Sequence, residues 1–324
     1  MDKIKFIPTL KNNKKSGELI SLGDDLDYNR PCDSGLDLSE IELLIRGYNV
    51  LAVDKNSGEP LYSNDFRKAK IAIVIACRLS SKRLPRKALL NVGSLSLVEL
   101  SIKNNLKLKN VDYTILATSV NPEDAELFEH TYSKNVIFFA GDPDDVIKRY
   151  LDAVAPLEVD VIVRKTADCP FPSSEIFDIL LKEHFVRGAD YTAGKKTTVG
   201  LNSEIMNVKS LKRIKEYFPK ASYSEYMTWY FTNNPEYFKL NIVDLPDKFS
   251  RNYRLTVDYK EDLLMFDIVQ KYFENNNLEY STEKLFEFLD KNPEINSINS
   301  HIQLKFKSDQ ELIDVLNRET KMKL

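Results

Sequence analysis

The amino-acid sequence predicts an α/β chain in which a doubly wound, mainly parallel sheet follows a small amino-terminal module. Two observations carry this. From Ile71 onward, continuous apolar runs alternate with helical segments, the pattern of a parallel sheet covered on both faces by crossover helices. Before Ile71 the elements are shorter and differently spaced, so residues 1–62 read as a unit of their own.

In chain order, "KIKFIP" and "GELISL" predict short strands, and "DLSEIELLIRG" predicts a helix from the spacing of Ile41, Leu44 and Ile45 before Gly47. The polar stretch at 63–70 predicts a linker. The runs "IAIVIA", "YTILATS", "VIFFAG" and "VDVIVRKT" predict buried strands, with helices at "PEDAELFEHTY" and "DDVIKRYLDAV" between them. Further on, "RLTV" predicts a strand that runs into a helix carrying Leu263, Phe266, Ile268 and Phe273. The sheet domain is expected over 71–305 and a terminal amphipathic helix over 306–324.

Composition narrows the function. A chain of 324 residues with 43% hydrophobic side chains can bury a real core. Its 46 basic and 49 acidic residues leave a net charge of -3, which gives no global attraction to nucleic acid or to a membrane surface. Any anion site must therefore be local. Cys32, Cys77 and Cys169, like His130, His184 and His301, are scattered without metal-ligand spacing, so neither a zinc site nor a disulfide framework is expected. With no apolar run near eighteen residues and no leader-like start, the expectation is a cytoplasmic protein.

A doubly wound sheet places ligands at the carboxyl ends of its strands. The first run opens there onto "CRLSSKRLPRK", where Arg78, Arg83 and Lys87 can wrap a polyphosphate through charge-assisted bonds. No glycine follows until Gly93, so this is not a Walker loop; the bland alternative is a solvated basic loop. Asp168 follows "VIVRKT" and precedes a rigid Cys-Pro-Phe-Pro turn, with Ser173 or Ser174 placed to cap the next helix. It can ligate Mg²⁺ or simply stabilise that turn. Asp258 has the same choice, because with Glu261 it fits the offset of a capping box. One cationic loop and two strand-end aspartates on a single sheet edge are the minimum kit for metal-assisted phosphoryl or nucleotidyl transfer, which needs no Ser, Cys or His nucleophile. Asp142 and Asp144 of "GDPDD" leave open a glycosyltransferase-type acidic pair, or merely an acidic helix start.

The segments "ACRLSSKRLPRKAL", "ILATSVNPEDAEL", "GDPDDVIKRYLDA", "VRKTADCPFPSSEIFD", "GLNSEIMN" and "YRLTVDYKEDLLMF" resemble, in this order, those of the bacterial spore-coat polysaccharide type cytidylyltransferases, relatives of the CMP-Kdo and CMP-sialate synthetases. The resemblance implies a Rossmann-like nucleotidyltransferase sheet and a CTP-dependent enzyme. It implies that Arg78, Arg83 and Lys87 hold the triphosphate, that Ala76, Cys77 and Thr118 line the nucleotide, and that Asp168 and Asp258 hold Mg²⁺. Arg78, Lys87 and Asp168 would then carry catalysis while an acceptor oxygen attacks the α-phosphate. Asn202, Glu204, Glu225 and Tyr226 are expected at the acceptor, and residues around 195–250 at a homodimer interface. This sequence departs from the family pattern with Arg86 for Gly, Ala140 for Arg, Asn202 for Asp and Tyr226 for His. The altered acceptor side keeps open a non-catalytic sensor of nucleotide or sugar.

The amino-terminal stretch is similar to the antifreeze-like (SAF) domain that closes sialic acid synthases, with Arg30, Pro31 and Gly35 around the position of their "RPGxG" turn. That likeness implies an acidic, nonulosonic-acid-like acceptor and a role for Arg30 in binding it. The alternative is a small packing or dimerisation domain.

Overall fold

The computed structural model describes residues 7–28, 33–304 and 309–323. Arg30 lies outside the described residues, as does most of the predicted strand "KIKFIP". The strands are β1 (Thr9–Leu10), β2 (Leu26–Asp27), β3 (Asn49–Leu51), β4 (Phe66–Lys68), β5 (Ile71–Ala76), β6 (Asn91–Val92), β7 (Leu95–Ser96), β8 (Tyr113–Ser119), β9 (Val136–Gly141), β10 (Val161–Thr166), β11 (Tyr191–Lys195), β12 (Glu204–Asn207) and β13 (Leu240–Asp244). The helices used below are α1 (Leu38–Arg46), α2 (Leu97–Asn105), α3 (Val146–Val154), α4 (Ser174–Arg187), α5 (Val208–Tyr217), α6 (Thr228–Thr232) and α7 (Lys260–Asn275).

Seven strands form the central sheet in the order β13-β11-β12-β10-β5-β8-β9. All neighbours are parallel except β12, which runs antiparallel to both β10 and β11. Side chains alternate across β5: Ile71, Ile73 and Ile75 enter the apolar layer with α2, α4 and α7, while Ala72 and Val74 enter the layer with α3, α5 and α6. The sheet is thus covered on both faces, and its central strands carry apolar residues at every position for that reason. Three aspartates pin the parallel register at the strands' amino ends. Asp112 accepts from the Ile71 N–H at 2.7 Å, Asp160 from Lys70 at 2.9 Å and Asp190 from Lys239 at 2.9 Å.

The amino-terminal module sits at that same end. Its apolar residues Leu10, Leu19, Ile20, Leu26, Ile41, Val50 and Leu51 belong to one continuous core with Ile71, Val161 and the helix α4. Tyr48 packs edge-on against Phe185 of α4 with ring centroids 5.1 Å apart. Arg67 grips Asp160 with two bonds of 2.7 and 2.8 Å. The segment expected as a linker at 63–70 contains β4, which pairs antiparallel with β3, and Phe66 enters the core. Its polar composition hid a strand with a single inward apolar residue. "GELISL" forms no strand; Leu19 and Ile20 are buried from an irregular segment.

One further expectation is refined and another corrected. The segment over "PEDAELFEH" is a 3₁₀ helix spanning Pro122–His130. "RLTV" is extended but makes only an isolated bridge, Arg254 to Val199, so it lies beside the sheet and not within it. Gly200 permits that approach: at φ +92 its backbone passes so near the Leu255 carbonyl that a Cβ would lie 1.8 Å from the oxygen. Among the described residues no helix is long and apolar enough to cross a membrane.

Candidate active site

The carboxyl ends of β5 and β10 lie side by side, with Ala76 opposite Thr166. The chain leaving β5 carries the cations and the chain leaving β10 carries Asp168. A small cavity of about 60 Å³ opens between them, lined by Ala76, Cys77, Arg78, Lys87, Ala167 and Asp168. The extended segment before α7 closes the third side, because the Val257 N–H donates to the Asp168 carbonyl at 2.8 Å. That single backbone bond brings Asp258 beside Asp168.

Lys87 stands at the centre. Its ammonium donates to Asp168 Oδ2 at 2.8 Å, to Asp258 Oδ1 at 3.0 Å and to the Val257 carbonyl at 2.7 Å. Burial alone would lower its affinity for the proton, but Asp168 and Asp258 overcome this and hold it above the ordinary lysine value. Burial likewise pushes Asp168 upward, yet Lys87 outweighs it, with help from Thr166, and holds Asp168 below the usual aspartate range. Both groups are therefore charged at neutral pH.

Asp258 collects three cations. Besides Lys87, it accepts from Arg83 at 2.6 Å and from the buried Arg254 at 2.9 Å. It does not cap α7. Asp262 does so, accepting from the N–H groups of Asp258 and Tyr259 at 2.9 and 3.0 Å, while Arg254 and Asn299 hold its other oxygen at 2.9 Å each. The capping-box expectation for Asp258 and Glu261 is thus displaced by one residue, which frees the Asp258 carboxylate to face the cations.

Arg78 reaches the other way, donating to the Pro143 carbonyl at 3.2 Å and to Glu225 at 3.3 Å. Beside it lies Arg149 of α3, buried to 1% exposure and held by the Asp142 and Pro143 carbonyls at 2.6–3.0 Å. Burial first, then the neighbouring Arg78, lowers its pKa. Asp142 accepts from the N–H groups of Asp144 and Asp145 and closes a local turn, and Asp145 caps α3 by accepting from the Lys148 N–H at 2.9 Å. Arg86 occupies the position expected for glycine with φ +54 and pairs with Glu126.

The expected acceptor residues divide. Asn202 spends its amide on Gly194, accepting from its N–H and donating to its carbonyl at 3.0 Å each. A carboxylate could only accept there, which gives the Asn a structural reason. Glu204 is consumed by Arg164, Thr228 and Tyr191, the last donating at 2.6 Å. Burial opposes its charge, but Arg164 and these hydroxyls hold its pKa low. Both side chains are thus engaged by neighbouring residues. Glu225 and Tyr226 remain near the cations, with Glu225 on Arg78 and Tyr226 half-buried. Thr118 lies in β8 with a fully buried hydroxyl that has no partner.

Four supporting residues escaped the sequence reading. Arg254 and Asp262 organise Asp258, and the signal was present in the offset of Asp262 from Tyr259. Asp124, fully buried, accepts from the Leu79 N–H at 2.7 Å and from Ser119, anchoring the cationic loop to β8. Lys165 is buried with its ammonium on Ser203 at 2.5 Å and the Asn202 carbonyl at 3.3 Å, and burial pulls its pKa down to about 8. Nothing in a strand of apolar neighbours marks which lysine points inward.

Comparison with known proteins fits this geometry. The family model described as cytidylyltransferase matches residues 71–305. An uncharacterized protein of Methanocaldococcus jannaschii is 34% identical over 241 residues, covering 73% of this chain and 97% of its own length. The spore coat polysaccharide biosynthesis protein SpsF of Bacillus subtilis is 29% identical over 231 residues, covering 69% of this chain and 95% of its own. A solved cytidylyltransferase from Leptospira borgpetersenii superposes with a TM-score of 0.64 at 27% identity, covering 73% of this chain and 99% of that one.

Proposed function

Because this chain belongs to the cytidylyltransferase family, we propose that it transfers CMP from CTP to an acidic sugar, releasing pyrophosphate, for surface polysaccharide or glycan synthesis. The observation that carries the reading is Lys87 held between Asp168 and Asp258, with Arg83 on the second carboxylate and Arg78 at the cavity mouth.

In this reading Arg78, Arg83 and Lys87 bind the triphosphate. They neutralise charge on the β- and γ-phosphates and orient the α-phosphate for attack, so that pyrophosphate is the leaving group. Asp168 and Asp258 would hold Mg²⁺. The donor set fits: two aspartate oxygens within 3.0 Å of one point suit a hard cation that takes its remaining ligands from phosphates and water. Among the described residues no group of three or more acidic, His or Cys side chains is placed to hold a metal, so the substrate would have to complete the shell. When bound, Mg²⁺ supplies charge neutralisation at the phosphates. Asp124 keeps the cationic loop in place by fixing the Leu79 amide.

The acceptor hydroxyl would approach past Glu225 and Tyr226, and Arg78 is the cation within reach of an acceptor carboxylate there. The relative named for spore coat polysaccharide biosynthesis supports a sugar acceptor. The test is pyrophosphate release in Mg²⁺ with each of the four NTPs against a panel of acidic and neutral sugars. Release only with CTP and an acidic sugar or sugar phosphate is the expected result; release with an uncharged sugar instead would overturn the acceptor class.

A further inference from the structure

The ammonium of Lys87 is coordinated as a bound metal ion would be. Three oxygens surround it at 2.7–3.0 Å, two from carboxylates and one from the Val257 carbonyl, and they exhaust its three N–H donors. This is an oxygen cage of the kind hard cations take, filled by a side chain of the protein itself. We propose that Lys87 is an internal place-holder for the divalent cation: it keeps Asp168 and Asp258 converged and closed to metal until the triphosphate draws its ammonium away. This rests on the reading of the site given above.

The surroundings support the exchange. A divalent cation entering with Lys87 in place would meet a positive charge about 3 Å away in a half-buried site, where repulsion is poorly screened. Arg83 and Arg254 already occupy Asp258, so with Lys87 in place each of the two carboxylates is already paired with a cation. Among the described residues Lys87 is the cation paired with Asp168, so departure of that ammonium leaves Oδ2 open while Oδ1 keeps the Cys169 thiol at 3.7 Å. The lysine can leave. It hangs on a flexible four-carbon stem, whereas the guanidinium of Arg254 is locked between Asp258 and Asp262. Incoming phosphates offer Lys87 replacement acceptors in the adjacent cavity, and the metal then binds carboxylates and phosphates together. Metal and nucleotide would enter as a pair.

The proposal assigns opposite signs to two measurements on the same variant. Mn²⁺ binding is titrated by electron paramagnetic resonance on the full chain without nucleotide, for the wild type, Lys87→Met and Lys87→Gln. The Gln variant keeps a hydrogen bond toward Asp168 and serves if Met leaves the chain misfolded, circular dichroism giving the check. The expected result is Mn²⁺ binding about tenfold or more tighter in the variants than in the wild type, from removal of one adjacent positive charge. CTP binding by the same variants weakens. Unchanged or weaker Mn²⁺ binding in the folded variants, with normal CTP binding by the wild type in Mg²⁺, overturns the place-holder alone. Absence of CTP binding by the wild type sinks the reading on which it rests.

Discussion

The two ends of the central sheet use the same chemistry for different ends. At the amino end, Asp160 accepts from Arg67 and the Lys70 amide under a module whose core is continuous with the sheet's. Each acid there has fixed neighbours, and nothing is left for a ligand to complete. At the carboxyl end, Asp168, Asp258, Lys87 and Arg83 also pair, but around a cavity. An ion pair that closes the surface contributes to stability; one beside a cavity can be exchanged for a substrate. The location of the pair, more than its geometry, separates the two roles.

The sharpest way to break this contrast is to neutralise one acid at each end. Asp168→Asn is expected to lower turnover by about a thousandfold with little change in melting temperature, since on the proposed reading it removes one of the two carboxylates that would hold Mg²⁺ but keeps the shape. Pyrophosphate release and thermal unfolding on one sample decide it, and near-normal turnover would overturn the metal role proposed for Asp168. Asp160→Ala is expected to do the reverse, destabilising by about 2–4 kcal/mol because it strands the Lys70 amide and the Arg67 fork, while CTP affinity holds. A collapse of affinity instead would show that the two ends are coupled.

His184 sharpens the comparison through pH. It is fully buried near the amino end, bonded to Thr192 at 3.0 Å and Asn207 at 3.2 Å, and burial lowers its pKa to about 4. A histidine with a depressed folded pKa stabilises the fold above its ordinary value of 6.5, and that stability is lost as pH falls from 6.5 to 4. The loss should approach about 3 kcal/mol by pH 4, and His184→Gln should flatten the curve. Denaturant melts at several pH values test this. The smallest effect is at the carboxyl end, where Arg86 holds φ +54. Arg86→Gly should relieve that strain and stabilise by up to about 1 kcal/mol, less the lost pair with Glu126. Destabilisation would mean that the ion pair outweighs the backbone.

Much of this was legible in the sequence because burial on both faces writes itself as unbroken apolar runs. Ile71–Ala76, Tyr113–Ser119 and Val136–Gly141 form strands at their predicted bounds. The strands on the β13 side were not, since "YTAGK", "EIMN" and "LNIVD" are short, interrupted by polar residues or half-exposed. At the site, cations after β5 and the acid after β10 followed from strand ends alone. The capping of α7 by Asp262 did not, because two acids lie within reach of the same amides and only geometry selects one. The partners of Asn202 and Glu204 were hidden for a related reason: a polar side chain beside a pocket looks the same in sequence whether it faces open space or a neighbouring strand. The seat of the module was hidden too, since contacts such as Tyr48 on Phe185 join residues far apart in the chain.

The unbroken apolar layer from Leu10 to Ile71 has a consequence for how the molecule opens. A module tethered by a slack linker would fray by itself, and its amides would exchange with solvent long before those of the sheet. Here β4 ties α1 and β3 directly to the strand that begins at Ile71, so amides of α1 should exchange only through events that also expose β5. The chain is then expected to melt in one cooperative step, with α1 and β3 opening together with the sheet and not before it.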